Sequence, residues 1–386
     1  MSEEHPVFKT IETNVVHAGE TQPRFAGAVV QPVFQSANYV LGGEDSYHAL
    51  RYIRLNNSPN HELLHRRLAA IESAEAALVT GSGMAAITTT LLSCVRAGEH
   101  LLTHRALYGG TQNFLDEDAP ALQIAHTSID MSDPSGWEAE LRPTTRLIYV
   151  ESISNPLMEV GDLEAVVNFA RRHGLVAVID NTFATPVNFR PLEIGFDIVV
   201  HSATKYLNGH SDIVAGVVLG ARDKVDRIRH KLNHLGGALD PHACFLLERG
   251  LKTLALRVQR QNDNALRLAR FLAGRREVRQ VHYPGLETDP GHARARKLFA
   301  GFGGMLSLHL DSAARAERLI ERLRIPLHAA SLGGTESLVV RPSRSSHLGM
   351  PPAARAALGI TDDLVRVSVG IESVEELIED FATALA

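Results

Sequence analysis

Two apolar runs near the middle of the chain end in groups capable of chemistry. The first closes on Asp180-Asn181-Thr182, and the second, Ile198-Val199-Val200, runs into His201-Ser202-Ala203-Thr204-Lys205-Tyr206. If the two are neighbouring strands, a carboxylate and an amine meet at their carboxyl ends, the edge where open α/β sheets bind ligands. Such a pair suits a cofactor whose pyridine nitrogen must stay protonated and whose aldehyde must be captured by a lysine. To serve as that nucleophile, and later as a proton carrier, Lys205 must fall well below the ordinary lysine pKa of about 10.4, which burial and a nearby cation achieve. Ser202 and Thr204 could then hydrogen-bond a phosphate. Taken singly, Lys205 reads as a solvated lysine and Asp180 as a helix cap, but that reading leaves the two hydroxyls and the strand end before Lys205 unexplained.

A second phosphate feature lies upstream. Ala77-Leu78-Val79-Thr80 leads into Gly81-Ser82-Gly83-Met84-Ala85-Ala86, a strand, a tight glycine turn and a small-residue helix start, whose free backbone N–H groups would suit a phosphate. The same residues fit the dinucleotide pattern G-x-G-x-x-A. That reading needs an acidic residue ending the next strand, whereas Leu101-Leu102 runs into Thr103-His104 and Glu99 precedes the run. His61-Glu62-Leu63-Leu64-His65 fits the zinc motif H-E-x-x-H, and a zinc metallopeptidase is carried as a distant alternative. In a chain with 19 histidines right after the helix-start signal Ser58-Pro59-Asn60, the match carries little weight, and no metal is expected. Ser202-Ala203-Thr204-Lys205 also fits the S-x-x-K of acyl-serine enzymes, but Ser211-Asp212 is followed by Ile213 and Lys252-Thr253 by Leu254, so its companion motifs are missing.

The elements that must position these groups follow from the apolar pattern. From about residue 61, helical stretches alternate with short apolar runs at 76–79, 100–103, 146–150, 175–179 and 197–200. This is the rhythm of a parallel sheet with crossover helices, and the near absence of polar alternation predicts helices on both faces. After a glycine-punctuated segment (Gly209, Gly216, Gly220, Gly236, Gly237), residues 244–272 carry helical periodicity and read as a connector to a second, α+β lobe. That lobe shows strand-like pieces at 304–310 and 364–369 and a last helix opened by Ser373 with Glu376 as a capping box. The expected division is an arm over residues 1–50 that packs on a neighbouring subunit, an α/β domain over 51–245 and an α+β domain over 246–386. The chain's 386 residues at 45% hydrophobic content suit two such lobes. A net charge of -5 without a basic stripe argues against nucleic acid. Cys94 and Cys244, the two cysteines, indicate no disulfide framework, and with no stretch of about 18 apolar residues a cytoplasmic protein is expected.

Several blocks together resemble one family, the Cys/Met-metabolism (trans-sulfuration) group of fold-type I pyridoxal 5′-phosphate (PLP) enzymes. They are HSATKYLNGHSD at 201–212, VIDNTF at 178–183, YGGT at 108–111, ESISNP at 151–156, SLGGTESL at 331–338 and VRVSVGIE at 365–372. The resemblance runs from about Thr13 to the C-terminus. It implies a mostly parallel seven-stranded sheet with helices on both faces plus the smaller α+β domain. It further implies Lys205 as the Schiff-base lysine, Asp180 on the pyridine nitrogen and Tyr108 stacked on the ring and available as an acid or base. Phosphate would be held by Ser82, Gly83, Met84, Ser202 and Thr204. Tyr52 and Arg54, which match a Y-x-R element, would join them from the neighbouring subunit of a homotetramer built from two catalytic dimers. Arg366 would bind the substrate carboxylate bidentately, assisted by Asn155 and Ser331.

The resemblance includes cystathionine γ-synthases, γ- and β-lyases, methionine γ-lyases and homoserine-ester sulfhydrylases, and the sequence departs from several of them. Asn113 stands where γ-synthases and γ-lyases generally carry an arginine for a distal carboxylate, Ala330 where many have a glutamate, and Gly110 where methionine γ-lyases usually show a cysteine. Losing the arginine removes a contact of about 1.5 to 3 kcal/mol, so a strong preference for a dicarboxylic substrate is less expected. The segment LGGALDPHACFLLERGLKTLAL at 235–256 resembles γ-synthases and γ-lyases more than β-lyases. The expected reaction is γ-elimination on cystathionine or related homocysteine- and methionine-type thioethers, with γ-replacement by a γ-synthase or O-acylhomoserine sulfhydrylase as the alternative.

Overall fold

A computed structural model of the chain describes residues 7–47 and 49–386, so residues 1–6 and 48 of the expected arm lie outside the described residues. The apolar runs become the strands β1 (Ala76–Thr80), β2 (His100–His104), β4 (Thr145–Glu151), β5 (Val176–Asp180) and β6 (Ile198–His201). Two more, β3 (Ala125–Ile129) and β7 (Gly216–Gly220), complete a seven-stranded sheet in the order β1-β7-β6-β5-β4-β2-β3. Every residue of β1, β2, β6 and β7 is buried, as a sheet covered on both faces requires.

β7 is antiparallel to both neighbours, β1 and β6, inside an otherwise parallel sheet. Its sequence reads as glycine-punctuated because backbone packs against backbone there. A Cβ on Gly216 would lie 2.2 Å from the Ser82 carbonyl oxygen, and one on Gly220 would lie 2.6 Å from that of Asp197. The glycines are thus requirements of close strand approach rather than turn signals.

The C-terminal sheet has the order β10-β11-β12-β9-β8, with β8 (Val278–His282), β9 (Met305–Leu310), β10 (Leu327–His328), β11 (Leu338–Val340) and β12 (Leu364–Ser368). The expected connector is two helices, Pro241–Leu251 and Leu254–Ala273. Leu247, Leu251, Leu254 and Val258 belong to the core of the large sheet, while Ala265, Leu268 and Leu272 belong to that of the small one. The handover between lobes therefore runs along the second helix. Ser373 caps the last helix, Val374–Leu385, accepting the Glu376 amide at 3.4 Å.

Helix Pro59–Glu72 ties the amino-terminal residues to this body. Its fully buried Arg67 pairs with Glu248 and donates to the Ala18 carbonyl at 3.0 Å. Glu248 keeps Lys252 at 3.0 Å as a second counterion, so Arg67→Ala is expected to cost about 1.5 to 3 kcal/mol for the lost charged hydrogen bonds, read as a lower midpoint in thermal or urea unfolding.

Candidate active site

The carboxyl ends of β1, β2, β4, β5 and β6 open on one cavity of about 740 Å³, with Lys205, Asp180 and Arg366 in its wall. At the end of β5, Asp180 is held by its own strand exit. One oxygen accepts the Thr182 amide at 2.9 Å and the Thr182 hydroxyl, and the other accepts the Tyr149 hydroxyl at 3.4 Å. Burial raises its pKa, opposed by the Thr182 hydrogen bonds and by the charge of His201.

β6 leads into the lysine. The Ser202 amide donates to the Thr182 hydroxyl at 2.8 Å, locking the two strand exits together. The Thr204 hydroxyl donates to the Ala215 carbonyl and accepts the Ala215 amide, pinning the lysine turn to the approach of β7. Lys205 Nζ then reaches across to the C-terminal lobe and donates to Ser331 Oγ at 2.8 Å. Burial, helped by the Arg366 charge, lowers the amine to about 8. Ser331 holds a φ of +107°, a conformation that an L-residue keeps only when its surroundings enforce it.

Arg366 on β12 is 4% exposed, and burial lowers its pKa to about 10. One Nη donates to Asn155 Oδ1 at 2.9 Å and the other to the Ser331 carbonyl at 3.4 Å. Among the described residues no carboxylate pairs with it. A buried guanidinium without a counterion is costly, so this arrangement is suited to an anion that arrives from outside.

The glycine turn leaves several donors free. Ser82 caps helix Gly83–Cys94, its hydroxyl oxygen accepting the Ala85 amide at 3.0 Å, which leaves its O–H free to donate. Among the described residues, the amides of Gly83 and Met84 and the hydroxyl of Ser202 have no partner. A Cβ on Gly83 would lie 2.8 Å from that of Ser202, so the turn and the lysine segment touch. Free donors at a helix N-terminus and on the adjoining Ser202, an amine of depressed pKa and a buried carboxylate are groups that the phosphate, aldehyde and ring nitrogen of PLP would require.

Tyr108 is 43% exposed at the cavity wall. A Cβ on Gly110 would lie 2.6 Å from its ring and 3.0 Å from the Met84 sulfur, so the glycine gives the ring its place. Asn113, Asn155, Ser331 and Ala330 also line the cavity. Tyr52 and Arg54 do not. Arg54 donates to the Asn233 carbonyl at 2.7 Å and lies 5.6 Å from the Tyr52 ring, itself 39% exposed.

The H-E-x-x-H residues stand apart from the cavity. His61 Nδ1 meets Ser58 Oγ at 2.8 Å and its Nε2 meets the Leu239 carbonyl at 2.7 Å, while His65 Nε2 accepts the Val79 amide at 3.0 Å. Glu62 faces outward with Arg51. His65 fastens the helix to β1 and His61 fastens it to the segment before helix Pro241–Leu251, and among the described residues no cluster of His, Cys, Asp and Glu could hold a metal.

Sequence reasoning missed Glu151 and Thr182 as members of the site. Thr182 is the Asp-x-Thr partner of Asp180, and Glu151 ends an apolar run just as Asp180 does, so both carried a usable signal.

With the geometry in place, comparison with known proteins is decisive. The model of the family described as Cys/Met metabolism PLP-dependent enzyme matches residues 12–386. The chain belongs to that family. An L-methionine gamma-lyase of Pseudomonas putida is 42% identical over 97% of this chain and 96% of its own length. A cystathionine gamma-lyase of Bacillus subtilis (strain 168) is 39% identical over 97% of this chain and 98% of its own. The crystal structure of a cystathionine gamma synthase from Xanthomonas oryzae pv. oryzae, in complex with aminoacrylate and cysteine, superposes with a TM-score of 0.94 at 36% identity, covering 98% of each chain. The family member described here is a PLP-dependent enzyme of trans-sulfuration chemistry with the fold of these proteins.

The depressed Lys205 pKa has a direct readout. In the cofactor-free protein, labelling of Lys205 by an amine-reactive reagent is expected to rise with pH through about 8, where the neutral amine forms, while exposed lysines rise near their ordinary value. Site-resolved mass spectrometry checks it, and a Lys205 midpoint no lower than that of exposed lysines would contradict the burial argument.

Proposed function

We propose that the enzyme catalyses γ-elimination on thioether amino acids of the cystathionine, homocysteine and methionine type. One substrate and one water give a thiol, a 2-oxo acid and ammonia. The observation that carries this reading is the buried, carboxylate-free Arg366 facing the same cavity as the Lys205 amine. The relatives named as methionine and cystathionine gamma-lyases support it.

Bound PLP supplies an aldehyde for the substrate amine and a ring that accepts electron density. The residues of this chain do the rest. Gly83, Met84 and Ser202 hold the phosphate, Asp180 keeps the ring nitrogen protonated, and Tyr108 covers the ring and is available as an acid or base. Ser82, whose O–H stays free while its oxygen caps the helix, joins Gly83, Met84 and Ser202 at the phosphate, and Thr204 shapes the cradle, since its hydroxyl donates to the Ala215 carbonyl. Arg366 grips the α-carboxylate bidentately, oriented by Asn155 and Ser331, which sets Cα within reach of Lys205. The neutral Lys205 amine takes the Cα proton and hands protons on during loss of the γ-substituent, a role its lowered pKa suits. Asn113 and Ala330 leave the outer cavity without a charged side chain from those positions, which favours thioethers over substrates held by a distal carboxylate.

The similarity to a gamma synthase keeps γ-replacement as the second reading. Purified holoenzyme is expected to release 2-oxobutanoate from cystathionine, homocysteine or methionine without an added thiol. Release from none of them, together with thiol-dependent consumption of O-succinyl- or O-acetylhomoserine, would establish replacement instead.

The assembly belongs to the same proposal: a homotetramer of two catalytic dimers, with Tyr52 and Arg54 completing the phosphate site of the neighbouring subunit. Apolar side chains on the amino-terminal segment support it, with Val29 78%, Val40 97% and Leu41 74% exposed in the single chain. No helix among the described residues is long and apolar enough to cross a membrane, and the free thiols Cys94 and Cys244 suit a reducing cytoplasm. Subunits carrying Lys205→Ala and subunits carrying Arg54→Ala are each expected to be nearly inactive. After equal amounts are unfolded and refolded together, the mixture should recover about a quarter of wild-type activity, because about half of the dimers are hybrids and one site in each hybrid draws both intact residues. No recovery in proven hybrids would place Arg54 in its own subunit's site.

A further inference from the structure

Two carboxyl groups close the inner end of the cavity. Glu151 and Asp180 are the last residues of β4 and β5 and stand opposite each other in the parallel register, so both side chains project from the same face. They are 6% and 8% exposed. Asp180 is surrounded by donors: the Thr182 amide and hydroxyl, the Tyr149 hydroxyl and the nearby His201. Glu151 has one donor, the Tyr108 amide at 2.6 Å from Oε1, and among the described residues no ion pair includes it. Its neighbours are Asp180 on β5, the Tyr149 phenol two residues back on its own strand and the Tyr108 turn after β2. Lys205 and Arg366 line the cavity, with Lys205 bonded to Ser331 and Arg366 to Asn155 and Ser331.

Two buried carboxylates side by side cannot both stay ionised cheaply, and the one with fewer donors keeps the proton. We propose that Glu151 works as an uncharged carboxylic acid, a positioning residue that ties the Tyr108 backbone to β4 and leaves Asp180 the only negative charge facing the ring nitrogen. The inference rests on the Asp180 pairing proposed above. Burial, and then the Asp180 charge, push the Glu151 pKa well above its ordinary value, in agreement with the geometry. Through Tyr108 the bond reaches function, because the tyrosine ring covers the cavity while its amide is anchored to this acid.

Infrared spectroscopy of the holoenzyme at neutral pH tests the protonation. The carbonyl stretch of a protonated carboxylic acid is expected in the wild type and absent from Glu151→Gln. No such band in the wild type would overturn the proposal. A band that persists in Glu151→Gln and vanishes in Asp180→Asn would put the proton on Asp180 and sink the underlying pairing with it. The anchoring is tested by rescue. Glu151→Ala is expected to lose about tenfold in kcat/KM, roughly one hydrogen bond. Glu151→Gln, which still accepts the Tyr108 amide, should recover most of that loss and keep the pH midpoint of the holoenzyme's visible absorbance within about 0.3 units of wild type. A midpoint shifted by about one unit in Glu151→Gln would mean that a real charge had been removed, and the proposal would fail.

Discussion

An amine, a guanidinium and two carboxyl groups share one cavity in this protein without forming an ion pair among themselves. In water each would be hydrated separately and attract the others only weakly, whereas burial strengthens that attraction. Here each is held off by neutral partners: Lys205 by a serine hydroxyl, Arg366 by an amide and a carbonyl, Asp180 by a threonine and a tyrosine. Buried charges left unneutralised are expensive, and the cost is tolerable only because the fold that surrounds them is stable elsewhere. The return is a site already polarised for a ligand that brings the complementary charges: a phosphate, a ring cation and a carboxylate. Preorganisation of this kind is what lets small groups exert large electrostatic effects.

Keeping these groups apart demands two lobes held in fixed relation. Lys205 comes from the large sheet, whereas Ser331 and Arg366 come from the small one, so the central hydrogen bonds cross the lobe boundary. Helix Leu254–Ala273 secures that boundary by lying in both cores. Its Arg257 guanidinium donates to the carbonyls of Tyr206 and Gly250, directly behind the lysine turn. The fit is close enough that a Cβ on Gly333 would lie 2.8 Å from the Tyr206 amide nitrogen.

The sequence made some of this plain and hid the rest for physical reasons. Runs of consecutive apolar residues are unmistakable where a strand is buried on both faces, so β1, β2, β4, β5 and β6 could be read directly, and with them the strand ends carrying Asp180 and Lys205. β3, with Ala125-His126-Thr127-Ser128-Ile129, is a half-exposed edge strand without such a run. β7 was masked by glycines whose purpose is close packing, and β10, two exposed residues long, carries no pattern at all. Within the site, residues defined by the chain's own direction were legible, while those defined by register between strands were not. Glu151 ends its apolar run as visibly as Asp180 does, but that the two carboxyls stand side by side emerges only when β4 lies beside β5. Which hydroxyls keep a free donor was hidden for a similar reason: the Thr204 hydroxyl donates to the Ala215 carbonyl only because β7 approaches the lysine turn.

The helix shared by both cores also governs what can move. A small lobe swinging as a body would have to pull Leu268 and Leu272, or Leu254 and Val258, out of their packing, and the rod between them offers no joint. Adjustments during turnover are therefore left to the chain segments at the cavity mouth, where Ser345, Ser346 and Val214 stand, with the scaffold acting as a vice rather than a jaw.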